Sequence, residues 1–387
     1  LWAGSRGSGS DEAELSELAL SVGYWAFVLL GIAIGVVFRW PELDPPKFLW
    51  LDETWRALAA RDLGIRELGT VTQLILPSDW LPGKLVVLLG AWPYGLRAVP
   101  IVATVFAQGI GVWALRRLGA PWGAILFVWT VSFGPGFIIH SREFKPYALD
   151  MACAVATVAV VLQSKEWLVR ATFFVVAFIS LPSAFFIAGV TAYTLVEGHG
   201  LAKVSSRAAI GLLGFLASLS LFLMEQLETR HTHDFWRAQY LAHPDDWTRV
   251  FMAAHGEIGT YVMNSALVCG GVFVIGVLGR KRGASLSLIV LVPLALQILA
   301  SMAQLYPLFR RPSFYWFSLL AWCYAYGADA FMDRFQGTGR YAAILLIIGL
   351  AVGGLAITNP LRSSVSIRHP PDEGRAALRI LQENRSP

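Results

Sequence analysis

Three separated segments of this chain set charged side chains beside apolar sequence, and each carries residue types that acid–base or phosphate chemistry needs. The first is Asp52-Glu53, directly after Phe48-Leu49-Trp50-Leu51. Apolar surroundings raise a carboxylate's affinity for protons and suit it to act as a general base. The same pair, standing ahead of a helical stretch, also fits an N-cap with acids in the first turn. The second segment is Ser141-Arg142-Glu143-Phe144-Lys145-Pro146-Tyr147, where two cations and a carboxylate precede a helix with Pro in its first turn. Backbone N–H groups and two positive side chains converging there suit a phosphate; an ion-paired headgroup anchor is the alternative.

The third segment, Tyr306-Pro307-Leu308-Phe309-Arg310-Arg311-Pro312-Ser313-Phe314-Tyr315, pairs two arginines among aromatics. It fits either an anionic lipid phosphate or an interfacial anchor. Lys84 and Arg97 are further candidates for phosphate, or else snorkelling anchors. His231, His233 and Asp234 have a spacing able to hold a divalent metal, yet no further ligand follows from the sequence. The loop that carries them, through Phe235-Trp236-Arg237 and Asp245-Asp246-Trp247, reads equally as an interfacial helix over the site.

The elements that must position these groups are membrane helices. Hydrophobic residues make up 56% of the 387-residue chain and charged ones only 15%. Mean hydropathy is +0.57, a balance foreign to a water-soluble domain of this size. About eleven apolar stretches have roughly the 17 to 25 residues needed to cross a hydrocarbon core of about 30 Å. They are 22–38, 98–115, 120–139, 147–163, 168–181, 184–196, 208–224, 261–278, 286–302, 314–331 and 341–357. The fifth and sixth meet at Leu181-Pro182-Ser183 and read either as two spans or as one broken, re-entrant element.

Arg116-Arg117, Lys165 with Arg170, Lys203 with Arg207, Arg280-Lys281-Arg282, and Arg334 with Arg340 fall in alternate loops, which the positive-inside rule assigns to the cytoplasm. The outer loops are then about 39–97, 140–146, 226–260 and 304–312, and they hold the candidate residues above. In the first of them, Thr54 to Arg61 has the spacing of an amphipathic helix lying in the interface.

The net charge of +5 is scattered rather than blocked, which excludes a nucleic-acid partner. Cys153, Cys269 and Cys323 lie in apolar runs without ligand spacing and read as small buried hydrophobes. Residues 1–19 read as a tag-like or flexible leader, 20–360 as the transmembrane catalytic domain, and 361–387 as a short polar extracytoplasmic tail.

Taken in order, Leu51-Asp52-Glu53, Leu96-Arg97-Ala98-Val99-Pro100 after Pro93-Tyr94-Gly95, the Ser141–Tyr147 segment, and Tyr306-Pro307 with Arg310-Arg311 resemble the GT-C superfamily of integral-membrane glycosyltransferases. The resemblance is to the branch of protein O-mannosyltransferases and the aminoarabinose transferase, glycosyltransferase family 39-like. It implies an all-α polytopic fold and inverting transfer of a sugar from a polyprenyl-phosphate donor to a glycan, lipid or protein acceptor. The setting it implies is the outer face of a bacterial inner membrane, with the active site facing the periplasm.

By that resemblance Asp52 is the catalytic base, with Glu53 beside it. Arg142, Lys145, Arg310, Arg311 and Lys84 meet the donor phosphate, and Glu143, Tyr147, Tyr306 and Arg97 line the substrate. Membrane lipid and the lipid-linked donor are the implied partners; no cofactor is required, and a divalent metal is left open. Lys145 stands where many relatives carry Arg, which keeps the charge but loses the bidentate fork. A transporter or flippase of lipid-linked sugars, and a non-catalytic scaffold of the same fold, are the competing readings. A transporter calls for inverted repeats and ionisable groups in mid-membrane.

Overall fold

The computed structural model describes residues 9–40, 51–70, 75–92, 95–163, 165–223, 240–241, 246–248, 283–308 and 313–333. All regular structure among them is helical. We number the helices α1 Gly9–Arg39, α2 Leu51–Asp62, α3 Pro77–Leu88, α4 Gly95–Arg117, α5 Pro121–Phe133, α6 Pro135–His140, α7 Tyr147–Gln163, α8 Glu166–Ile179, α9 Ser183–Val196, α10 Leu201–Ser218, α11 Gly283–Met302 and α12 Phe314–Met332. A 3-10 turn, Ile65–Thr70, links α2 towards α3, and a π turn, Leu219–Leu223, ends α10.

Nine of the eleven apolar stretches fall on these helices, while 261–278 and 341–357 lie outside the described residues. Among the described residues, four helical segments are long and apolar enough to cross a membrane: Ser21–Arg39, Gly95–Arg117, Leu201–Leu221 and Gly283–Met302. The stretch read as one span over 120–139 is two helices. Pro135 pushes Gly134 out of the helical region, to φ −60° and ψ 120°, so α5 stops at Phe133 and α6 starts afresh. At the other end of the chain, α1 begins at Gly9, inside the stretch read as a leader.

Packing follows from which helices are apolar on every side. In α12 every residue except Phe331 is buried, and α7 is buried along most of its length, so these two form the centre of the bundle. Around them α4, α5, α8, α9 and α11 close the main core, with Phe127, Phe137, Phe173, Phe186 and Trp322 filling it. Val22, Phe27 and Leu29 of α1 and Val102 and Phe106 of α4 stay exposed, as side chains that face lipid must. Close approach of α5 and α12 needs a glycine. Gly123 donates its N–H to Asp329 Oδ1 (2.8 Å), and a Cβ there would strike the carbonyl of Ala325.

The 168–196 region is a pair of separate helices. Helices α8 and α9 have 14 residues each, about 21 Å of rise, and the chain turns between them at Ser180–Pro182. Phe178 and Leu181 at that turn pack under Ala59, Ala60, Leu68, Ile75, Leu76 and Trp80. The first-loop helices thus bury one face on a short hairpin.

Among the described residues, basic side chains assigned to one side make contacts at one end of the bundle. Arg116 lies over the rings of Tyr24 (4.9 Å) and Trp25 (4.7 Å). Glu166, just ahead of the apolar stretch that starts at Leu168, ties α8 to α10 through Arg207 Nη2 at 2.6 Å and Lys203 at 3.2 Å. Hydrogen bonds from Arg207 lead in holding the Glu166 carboxyl down from 4.5 to about 2. A depressed folded value means that this contribution is complete above 4.5 and is lost as pH falls towards 2. Thermal unfolding of detergent-solubilised protein should show wild type more stable than Glu166→Gln at pH 7, with the gap closing as pH falls below 4.5. A gap that is constant over that range contradicts the pairing.

Candidate functional site

At the opposite end of the bundle, the ends of α1, α4, α6, α7, α8, α9, α11 and α12 meet under α2 and α3, and the buried polar side chains concentrate there. Glu53, in the first turn of α2, is completely buried. Its two oxygens take a bidentate pair from Arg97 at 3.0 and 2.9 Å, and Oε1 also accepts the Phe144 N–H. Arg97 in turn donates to the carbonyl of Arg142. One carboxylate and one guanidinium therefore tie α2, the start of α4 and the 141–146 turn together. A second clamp comes from α1. Buried Arg39 donates to Ser141 Oγ (2.5 Å) and to the carbonyls of Gly35 (2.6 Å) and Val131 (2.8 Å). Arg142 reaches the carbonyl of Phe38 through Nε (3.1 Å).

Held in this way, the turn directs Glu143 and Lys145 inward. Both are buried, and Lys145 Nζ lies 3.3 Å from Glu143 Oε2. The ring of His140 packs edge-on against Tyr147 (5.6 Å) and Phe314 (5.5 Å), with Nδ1 3.9 Å from Glu143. Asp150, one turn into α7, accepts a 2.6 Å bond from Ser180. Tyr306 contacts Phe185 edge-on at 5.0 Å, so the start of the arginine-rich segment reaches the same end. Gln297 of α11 donates to the carbonyl of Pro307 (2.9 Å) and to Ser313 (2.7 Å) while accepting from the Tyr315 hydroxyl (2.9 Å). Both flanks of Arg310-Arg311 are thus fastened by one buried amide.

Asp79 carries no signal in the sequence beyond that of an acid in a helix's first turn, yet it sits at the centre of this layer. It is buried and paired with Arg56 of α2, and among the described residues its Oδ1 has no hydrogen-bond donor. Burial raises its carboxyl above the ordinary value, an effect that Arg56, a Leu76 N–H and Lys145 oppose. A buried oxygen of this kind is an acceptor for a hydroxyl group.

The sequence-derived candidates thus divide. Glu53, Arg97, Arg142, Glu143, Lys145, Tyr147 and Tyr306 meet at one end. Lys84 instead turns to the carbonyls of Arg61 (3.3 Å) and Leu63 (3.4 Å) and to the Trp80 ring, and so caps α2. Asp52 occupies the second position of α2, beside Glu53, and its side chain lies outside what the structure describes. Arg310, Arg311, His231, His233 and Asp234 also lie outside the described residues. No group of three potential metal ligands occurs among the described residues.

Two crystal structures of ArnT from Cupriavidus metallidurans share this arrangement of helices. The one bound to undecaprenyl phosphate aligns with a TM-score of 0.58 at 16% identity, over 91% of this chain and 69% of ArnT. The apo form gives 0.54 at 15% identity, over 91% and 68%. The chain has the GT-C fold. It is an integral membrane protein by that fold and its apolar helices. No protein-family model and no curated protein matches the sequence.

The clamp around Glu53 sets a test of the geometry. Removing one partner of a buried ion pair leaves a charge without compensation, at about 3–5 kcal/mol. Glu53→Leu and Arg97→Leu should each lower the unfolding midpoint markedly in detergent, whereas Glu67→Leu, in the exposed 3-10 turn, should not. Equal midpoints for all three variants contradict the clamp.

Proposed function

We propose that this GT-C chain is an inverting glycosyltransferase that takes its sugar from a polyprenyl-phosphate donor on the extracytoplasmic face. The observation that carries the reading is the cation-bearing, buried turn 141–147 drawn beside the Asp52-Glu53 helix, in the fold of a protein crystallised with undecaprenyl phosphate. A lipid donor explains why such a layer lies at one end of a membrane bundle: the handle of the sugar stays in the bilayer while the reacting carbon meets polar groups.

In this reading Asp52 is the base. Glu53 has both oxygens committed to Arg97 and Phe144, so its part is to hold α2 against the 141–146 turn. Asp52 removes the proton from the acceptor hydroxyl as that oxygen attacks the anomeric carbon. The bond from that carbon to the phosphate oxygen breaks on the opposite face, so configuration inverts and the lipid phosphate leaves. Lys145 of the buried turn, with Arg310 and Arg311 supplied by the segment that Gln297 fastens, offsets the charge growing on the leaving phosphate. Arg142 is turned to Phe38 and shapes the turn. Glu143, Tyr147 and Tyr306 face the sugar, and the orphaned Asp79 oxygen is a further acceptor for its hydroxyls. The inner membrane of a bacterium, with the site towards the periplasm, is the matching location.

Purified protein incubated with a panel of polyprenyl-phosphate sugars should transfer or hydrolyse at least one of them, and Asp52→Asn should lose roughly two to four orders of magnitude in rate. Saturable donor binding with no turnover in wild type contradicts the enzyme reading and favours transport or a scaffold.

A further inference from the structure

At the end of the bundle away from Glu53, one carboxylate gathers three cations. Glu166 Oε1 accepts from Arg170 Nε (3.2 Å) and Arg207 Nε (3.0 Å), and Oε2 from Arg207 Nη2 (2.6 Å), with Lys203 Nζ at 3.2 Å. These four contacts occupy the roughly four acceptor positions of a carboxylate. The cations are not used up. Arg207, with a side chain only 4% exposed, has a buried Nη1 that finds no acceptor among the described residues. Arg170 and Lys203 have side chains 42% exposed and keep donors that Glu166 does not take. Glu197, a second acid near this cluster, accepts a 2.5 Å bond from Ser285 of α11. His199 beside it is held below its usual value by burial and by Lys203 and Arg207, which disfavours its charged form.

A positive-inside anchor needs only a cation that reaches water, whereas here three are collected and one is buried. The same two helices are apolar and exposed just beyond the cluster. Trp167 and Leu201 flank it at 66% and 77% exposure, and Phe174 and Val175 of α8 with Leu212 and Leu213 of α10 continue the strip. Cations at the head of an exposed apolar strip match an amphiphile with a phosphate head and acyl tails.

We propose that Arg170, Lys203 and the Glu166–Arg207 pair form a binding site for the phosphate of an anionic phospholipid, whose chains lie along the exposed faces of α8 and α10. The phosphate accepts the donors that Glu166 leaves over, and the lipid joins the aqueous ends of the two helices. The site lies at the far end from the one proposed for sugar transfer and stands or falls independently of it.

The test uses the full chain in detergent and follows the thermal unfolding midpoint during titration with phosphatidylglycerol, phosphatidylcholine or sodium phosphate. Wild type and the charge-preserving Arg170→Lys/Lys203→Arg variant should be stabilised by phosphatidylglycerol only. Arg170→Gln/Lys203→Gln should need on the order of tenfold more of it for the same shift. Both substituted side chains are half-exposed, and each single variant, showing part of the loss, serves if the pair does not purify. An equal shift with phosphatidylcholine, or an unchanged titration in the Gln variants, overturns the site. A shift reproduced by sodium phosphate alone overturns the lipid assignment in favour of free phosphate.

Discussion

The organisation of the outer end rests on the buried pair between Glu53 and Arg97. Its partners lie 44 residues apart in the chain, and the Phe144 N–H that joins them is 91 residues from Glu53. Burying two charges is costly, and the Coulombic return covers it only where every remaining donor and acceptor is used. Here both carboxylate oxygens are taken and Arg97 adds a bond to the Arg142 carbonyl, so three segments far apart in sequence acquire one fixed relation. The turn that carries Lys145 cannot shift without exposing that pair. Rigidity of this kind is what a site for a charged leaving group requires, since the groups that stabilise it must be aimed in advance.

The two ends of the bundle solve different problems. One gathers carboxylates and cations into a buried layer roofed by α2 and α3; the other collects three cations on Glu166 where helices emerge. The short α8–α9 hairpin connects the two designs. Because it turns early, α2 and α3 have apolar seats in Phe178 and Leu181, and Asp150 meets Ser180 within the protein rather than in lipid. Small residues in α7 and Gly123 in α5 let the central helices approach closely, the usual basis of cohesion where no water drives helices together.

Much of this was legible in the sequence because hydrophobic length and basic loops are one-dimensional signals. The bounds of α7 and α12 follow the apolar stretches almost to the residue, and the described candidates Glu53, Arg97, Arg142, Glu143, Lys145, Tyr147 and Tyr306 share the end that the alternation of Lys and Arg suggests. What escaped depends on contacts across the chain. Asp79 looks like an acid that favours a helix dipole until Arg56, 23 residues away, is seen to bury it. Arg39, at the end of α1, turns inward to Ser141, 102 residues on, a contact that residue type alone does not announce. Lys84, read as a phosphate partner or a snorkelling anchor, turns to the carbonyls at the end of α2. Side-chain direction, not residue type, decides each of these cases.

The most direct measurement of the central claim is a structure of the protein in a lipid nanodisc with polyprenyl phosphate added. The account predicts phosphate density at the 141–147 turn within reach of Lys145, with the polyprenyl chain leaving between helices into the bilayer and Asp52 on the open side. An outer layer that holds no phosphate at saturating polyprenyl phosphate contradicts it.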